Sequence, residues 1–236
     1  MPTPDEKSPR DKVAPHSQTL DRGLRLLEVL ADAERPLAIA ELADALGVHR
    51  SIAYRILRTL EDHRLVRRGP DGACELGVGL ATLARNVSRD LHAAALPELT
   101  AVANEIGMTT FLAVVDGDEC VTLAAVEPRH SVAAVAQRPG SRHSLDSGAP
   151  GIALLSAGPA RPDERPKVTE ARRLGHARSD SEVIAGLSSL AVPVLSASRG
   201  LVGAVAVVHL GGTAADEAAI AVRLQQAART IAAELA

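Results

Sequence analysis

Between Gly47 and Arg68 the chain carries six arginines, at 50, 55, 58, 64, 67 and 68, against two acidic residues, Glu61 and Asp62, a local balance of +4. The protein as a whole has a net charge of −3, and residues 93–236 hold 12 basic against 15 acidic groups, so this basic segment is an island on an acidic protein. At helical spacing, Ser51, Tyr54, Arg55 and Arg58 share one face, and Ala53, Ile56, Leu57 and Leu60 form an apolar stripe opposite. Guanidinium forks grip phosphate or guanine, serine donates to phosphate, and tyrosine does either while packing on a sugar or a thymine methyl. The helix therefore has a core side and a side suited to DNA. His49, Arg50 and Ser51, at its start, would enter the major groove deepest, and Arg67 and Arg68 fall where a following wing would meet the backbone or minor groove. Two positions also have plain structural readings: Arg58 is spaced to pair with Asp62, and Arg64 fits a solvated face.

The elements that must hold this helix are legible on either side of it. From Ser17, a plausible N-cap, leucines at 20, 24, 27 and 30 predict a first helix ending before Pro36. A second helix over 38–46, a turn at Gly47 and a third helix over 49–63 follow. Ala43 lies four residues before Gly47, where a small residue lets two helices approach and a glycine accepts positive φ. LVRRGPDGACEL then reads strand, turn, strand, with Val66 on one side and Cys74 and Leu76 on the other. Residues 17–77 are thus expected to form a winged helix-turn-helix domain. Residues 1–16, with four prolines and mixed charge, read as a disordered leader. Residues 78–92 predict a linker helix striped by Leu80, Leu83, Val87 and Leu91, with a further helix restarting after Pro97. An apolar stripe outside a domain core implies docking or a dimer contact.

Beyond Thr109 the period becomes two, or the apolar runs become continuous, in TFLAVVD, CVTLAAVE, SVAAVAQ, LAVPVLS and LVGAVAVVHL. These are five candidate strands. The short connections GDE and SRG imply hairpins, so residues 93–236 are expected to form a mainly antiparallel sheet flanked by helices near 149–157, 167–174 and 215–235. Residues 157–168 read as an exposed loop. The fold class is α+β in two domains.

Composition narrows the chemistry. Apolar residues make up 46% but aromatics only 1%, with Tyr54 and Phe111 the ring-bearing hydrocarbons, so the cores must be Ala, Val, Leu and Ile and a ligand pocket lacks stacking walls. No apolar stretch reaches the roughly eighteen residues of a membrane span, and a soluble cytoplasmic protein is expected. Cys74 and Cys120 stand alone, the eight histidines are scattered and GVG at 77–79 is too short for a dinucleotide fingerprint. No metal or cofactor is expected.

SQTLDRGLRLLEVL, HRSIAYRIL, LVRR and ELGVGL together resemble the DNA-binding half of IclR-type regulators, the isocitrate lyase regulator family. The likeness continues through TFLAVVDGDECVTLAAVE, SGAPGIALL, RRLGHARSDSEVIAGL and AVPVLSASRGLVGAVAVV, over nearly all of the chain after residue 16. Family members typically show Ser-Thr where this chain has Ser51-Ile52, and an arginine at Arg55. The resemblance implies a sequence-specific transcription regulator, repressor or activator. Its GAF-like effector domain would bind a small molecule and alter binding to a roughly palindromic operator in double-stranded DNA. It also implies homodimers, often paired into tetramers. The effector pocket it implies falls at Ser147, Gly148 and Ala149 with Pro150, at Ser179 and Asp180, at Ser189, and at Ala206 and Val208.

This chain departs from that pattern. Pro150 has no N–H, Ala206 and Val208 have no hydroxyl, Ile152 replaces the usual lysine, and the connection before RRLG is short. Asp180 would meet an anion with few compensating donors, so a neutral or cationic, mostly apolar effector is expected, or none. Two rivals remain open: a winged helix used for dimerisation or protein contact without DNA, and a hydrolase using His143, Ser144 and Asp146. The second lacks a GxSxG elbow, and an enzyme is not expected.

Overall fold

The computed structural model describes residues 17–130, 135, 137–211 and 216–236, which divide into two compact units between Val87 and Ser88. The expected leader over 1–16 lies outside the described residues, as does most of the expected strand SVAAVAQ.

In the first unit, helices α1 (Gln18–Asp32), α2 (Ile39–Leu46) and α3 (Arg50–Asp62) precede a two-stranded wing, β1 (Val66–Arg68) and β2 (Cys74–Leu76). Its core joins Leu26 and Leu30 of α1, Leu42 and Leu46 of α2, Ile56, Leu57 and Leu60 of α3, and Val66 and Cys74 of the wing. The α1 stripe differs from the expected one: Gly23, Leu26 and Leu30 face the core, and Leu20 and Leu24 stay more than half exposed. Counting leucines missed that a glycine marks where α1 meets its neighbours, its missing Cβ leaving room near the Ile56 side chain. Leu37 exchanges both backbone hydrogen bonds with Cys74, at 2.9 and 2.7 Å, fastening the wing to the α1–α2 connection.

The GVG segment is structural. The N–H groups of Gly77 and Gly79 donate to the carbonyls of Leu65 and Arg64, at 2.8 and 2.9 Å, where the chain crosses the end of α3. A Cβ at Gly77 would lie 2.2 Å from the Arg64 carbonyl oxygen.

Residues 78–92 do not form one helix. Helix α4 (Gly79–Ala84) ends in turns, Ser88 takes φ +46°, and α5 (Arg89–Ile106) then runs through Pro97 without a break. Pro97 is tolerated because the helical bond it cannot make would go to the carbonyl of Ala93, and both residues are exposed to water.

The second unit is built on a fully antiparallel six-stranded sheet. Its strands are β3 (Thr109–Asp116), β4 (Glu119–Val126), β5 (Arg142–Ser144), β6 (Ala177–Asp180), β7 (Leu187–Ser196) and β8 (Gly200–Leu210), in spatial order β5-β4-β3-β8-β7-β6. Helices α5 and α8 (Glu217–Glu234) pack on Leu112, Leu190, Val192, Val205 and Val207. Helices α6 (Gly148–Ala157) and α7 (Pro166–Leu174) belong to the cluster on the other face, with Phe111, Ala113, Ala191, Ala204 and Ala206. Covered on both faces, the central strands read as continuous apolar runs, whereas the edge strands β5 and β6 are too short and polar to announce themselves. Aliphatic side chains and alanine fill both layers, as the composition requires.

Gly77→Ala is therefore expected to destabilise the first unit by about 1–3 kcal/mol or more, since neither the new methyl nor the Arg64 carbonyl can move aside. Urea denaturation followed by circular dichroism measures it; an unchanged first transition would show that the crossing has slack.

Candidate nucleic-acid interface and ligand cavity

Helix α3 is capped by His49, whose Nδ1 accepts from the Ser51 N–H at 3.3 Å and lies 2.9 Å from the Ser51 hydroxyl. The turn before it is made by Gly47 at φ +63°, with Val48 N–H donating to the Ala43 carbonyl at 3.0 Å. With Ala53, Ile56, Leu57 and Leu60 buried, His49, Arg50, Ser51, Tyr54, Arg55 and Arg58 are all exposed. Arg50, Arg55 and Arg58 form no ion pair among the described residues; the possible Arg58–Asp62 pair is not made.

The wing arginines differ. Arg67 is ion-paired across the ladder with Glu75, its register partner. Arg68 points back to α3: its Nε and Nη2 donate to the two Glu61 oxygens at 2.8 and 3.2 Å, and its guanidinium lies 5.5 Å from the Tyr54 ring centroid. Period-two alternation explains both, because Val66 and Arg68 share the inner face of β1 while Arg67 faces Glu75. Both arginines, expected to meet DNA from the wing, are thus engaged with carboxylates of their own unit. Arg68 is a clasp joining wing and helix, and its partner Glu61 is one of the two acidic residues already counted in the local balance of +4.

Helix α2 is anchored at its start by Glu41, whose carboxylate accepts the Ala38 N–H at 2.8 Å and a bidentate pair from Arg35. These bonds hold its carboxyl down at about 2.

In the second unit a cavity of about 50 Å³ opens at the start of α6, lined by Phe111, His143, Gly148, Pro150, Ser179, Glu182, Val183, Ile184, Ser189 and Val208 among others. Of the expected effector residues, it brings together Gly148, Ser179, Ser189 and Val208. Ala149 and Ala206 are buried in the core, Ala149 presenting only its N–H, which donates to Ser179 Oγ at 2.9 Å. Ser179 and Ser189, cross-strand partners, share a hydrogen bond at 2.8 Å. Ser147, the N-cap, bonds weakly to the Ser144 carbonyl at 3.4 Å. Asp180 is a correction: it alternates with Ser179 along β6, so it lies on the opposite face of the sheet, paired with Arg178 and accepting from Ser188 at 2.7 Å.

The acidic group at the cavity is Glu182, unremarked in the sequence because it lies in a loop beyond the strand. One oxygen accepts the Gly148 N–H at 2.9 Å and the other is ion-paired with Lys167. Burial pushes its carboxyl up, but Lys167 and the Gly148 N–H outweigh that and leave it below the ordinary value. Gly148 sits at φ +76°, where a Cβ would meet Val183 Cγ2 at 2.9 Å and His143 Cε1 at 3.2 Å. A larger hollow, about 790 Å³ and lined by Arg161, Asp163, Glu164 and Arg165 with Val115 and Leu154, is an open, charged groove. The smaller cavity joins convergent polar groups to apolar walls, in a volume well below that of an ordinary ligand pocket.

Residues 19–70 match the IclR helix-turn-helix domain. A helix-turn-helix transcriptional regulator of Mycobacterium tuberculosis is 34% identical over 143 residues, covering 60% of this chain and 55% of the relative. This chain thus spans little more than half the length of that relative. The glycerol operon regulatory protein of Streptomyces coelicolor is 27% identical over 83% of this chain and 85% of its own length. The solved IclR homolog of Microbacterium hydrocarbonoxydans, complexed with 4-hydroxybenzoate, superposes with a TM-score of 0.78 at 23% identity, over 92% of this chain and 98% of that one. The first unit thus carries an IclR-type helix-turn-helix, and the chain is similar in sequence and fold to IclR-type transcriptional regulators.

Its relatives carry the names of transcriptional regulators, and the local geometry of this chain gives a hydrolase no footing. His143 Nδ1 donates to the Ser144 backbone carbonyl at 3.0 Å, and the Ser144 hydroxyl accepts from the Asp146 N–H at 3.2 Å, so base and nucleophile do not meet. No described helix is long and apolar enough to cross a membrane.

Two measurements follow from the first unit. A double-mutant cycle over Glu61→Ala and Arg68→Ala is expected to show a coupling of about 1 kcal/mol, the pair being bidentate and only about a quarter exposed; zero coupling would remove the clasp. Because Glu41 is held below its unfolded value, its contribution is complete above about pH 4.3 and fades as pH falls towards 2. The melting difference between the wild type and Glu41→Gln should therefore be full at pH 7 and shrink on acidification through that window.

Proposed function

We propose that this protein is a sequence-specific DNA-binding regulator that acts as a homodimer on a roughly palindromic operator, and that its second unit senses a small molecule. The observation that carries the reading is the cationic face of α3: Arg50, Arg55 and Arg58, exposed and without ion partners, lie opposite a fully buried stripe. Arg35, Arg67 and Arg68 of the same unit are engaged with carboxylates, whereas Arg22, Arg25, Arg64 and Arg85 likewise form no ion pair among the described residues; α3 is set apart by gathering three such cations on one helix face. A helix that served only protein contact would not need to hold three cations free beside Ser51 and Tyr54. In this reading His49, Arg50 and Ser51 approach the base edges, Arg55 and Arg58 meet phosphate or guanine, and Arg67, with Arg68 behind it, brings the wing to the backbone.

Dimerisation is supported by Leu20, Leu24, Val78, Leu83 and Val87, each more than half exposed in the first unit. A single recognition helix also buries too little surface for specific affinity, which two half-sites about 34 Å apart would double. Effector sensing is supported by the cavity at α6 and by the ligand found in the Microbacterium relative. A cavity of about 50 Å³ holds little more than a water or two, so an effector of ordinary size widens it by moving the Val183 and Ile184 side chains of its wall.

Gel shifts against the DNA upstream of its own gene test the reading. Arg55→Ala is expected to weaken binding with the fold intact. A phosphate contact would lower the salt slope by about one, whereas a guanine contact would relax one base position at about 1–3 kcal/mol. Unchanged affinity and slope would take Arg55 out of the interface, and protection of one isolated half-site by a monomer would defeat the dimer.

A further inference from the structure

The first turn of α6 has no N–H left to offer a ligand. Ser147 donates to the Ser144 carbonyl at 3.2 Å, Gly148 to Glu182 at 2.9 Å and Ala149 to Ser179 at 2.9 Å, and Pro150 has no N–H. The start of a helix is where a cavity can best hold an anion, because unsatisfied donors and the helix dipole both favour negative charge. Here that anion is the chain's own. The Glu182 side chain is 15% exposed, bridges Gly148 to Lys167 near the start of α7, and belongs to the same loop that sets Val183 and Ile184 along the cavity wall.

We propose that Glu182 is a tethered occupant of the carboxylate seat in this cavity, so that the native protein refuses small carboxylates and admits uncharged, mostly apolar ligands. The proposal rests on reading the cavity as the effector site. A carboxylate ligand would have to expel Glu182 from two partners and leave it partly buried beside a second negative charge, which is unfavourable on both counts. An uncharged ligand lies against Phe111, Pro150, Val183, Ile184 and Val208 and leaves Glu182 where it is. Glu182 is the specificity-determining residue in place of Asp180, which faces away.

Removing the tethered carboxylate inverts the preference. Glu182→Ala frees both the Gly148 N–H and the Lys167 ammonium beside apolar walls, the elements of a carboxylate site. In Glu182→Gln the amide oxygen still accepts from Gly148, and only the lysine is released.

The test uses the full chain, calorimetry, and benzoate and benzamide as charged and neutral probes of the same shape. Benzoate is expected to bind Glu182→Ala at least about tenfold more tightly than wild type, with Glu182→Gln between them. Benzamide binding should change little. Adding Lys167→Ala to Glu182→Ala should abolish the gain. Circular dichroism checks the fold, and if the alanine variant does not fold, the glutamine variant must show the gain alone. Equal benzoate affinity in wild type and variants, or none in any of them, overturns the proposal. Gel shifts on the same samples separate it from effector sensing. A benzoate gain with DNA binding unaltered leaves Glu182 in its role and removes the coupling, while a neutral ligand that alters DNA binding without any benzoate gain does the reverse.

Discussion

Burying Ala53, Ile56, Leu57 and Leu60 against α1 and α2 fixes the rotation of α3 about its own axis, and with it every side chain the helix shows to solvent. Each large aliphatic side chain so buried contributes about 1.5–3 kcal/mol, more than any single exposed ion pair could add or remove. The charged face is thus positioned by the apolar one. The clasp of Arg68 on Glu61 and Tyr54 then sets the wing relative to the helix, and the Leu37–Cys74 exchange ties the wing to the start of α2. Two weaker fastenings around one firm core suffice because the core has already chosen the orientation.

With almost no rings to fill space, the molecule packs through close approach of backbone instead. At Gly77 the chain passes within reach of the Arg64 carbonyl, and at Gly151 α6 comes so near Leu145 that a Cβ would lie 2.4 Å from its oxygen. Helix α6 is buried on nearly every side, which lets its first turn face a cavity instead of water. The hydrogen bonds of that turn must therefore be found within the protein.

How much of this was legible in the sequence depends on what each residue had to satisfy. Helices α2 and α3, the wing and the long strands β3, β4, β7 and β8 announced themselves because burial imposes a period or an unbroken apolar run on them. The exposure of Arg55 and Arg58 followed from the same spacing, which could not say whether Arg58 would pair with Asp62. Other features turned on single contacts that no period encodes. Pro97 reads as a break, yet its exposed side can leave a carbonyl to water, whereas the real interruption, at Ser88, carries no breaker residue at all. Leu20 and Leu24 looked like core in α1 because glycine scores as nothing. Asp180 was placed in the pocket by its neighbourhood in the sequence, although the strand parity that joins Ser179 to Ser189 already sends it to the other face. Glu182 lies past the strand end, where only the fold brings it to Gly148.

The two units handle unsatisfied charge in opposite ways, and solvent explains why. An arginine on an exposed helix face is hydrated by water and can stand without a partner at little cost, so Arg50, Arg55 and Arg58 remain available for an external polyanion. The orphan N–H groups at the start of α6 have no such recourse, since a buried donor left unpaired costs about 1–3 kcal/mol. Ser179, Glu182 and a proline remove every one of them before any ligand arrives. An open surface can wait for its partner, whereas a closed cavity must be satisfied in its absence. The tethered carboxylate that satisfies it then determines what can follow: a ligand gains from this cavity only what its apolar surface supplies, unless it carries a group that displaces Glu182.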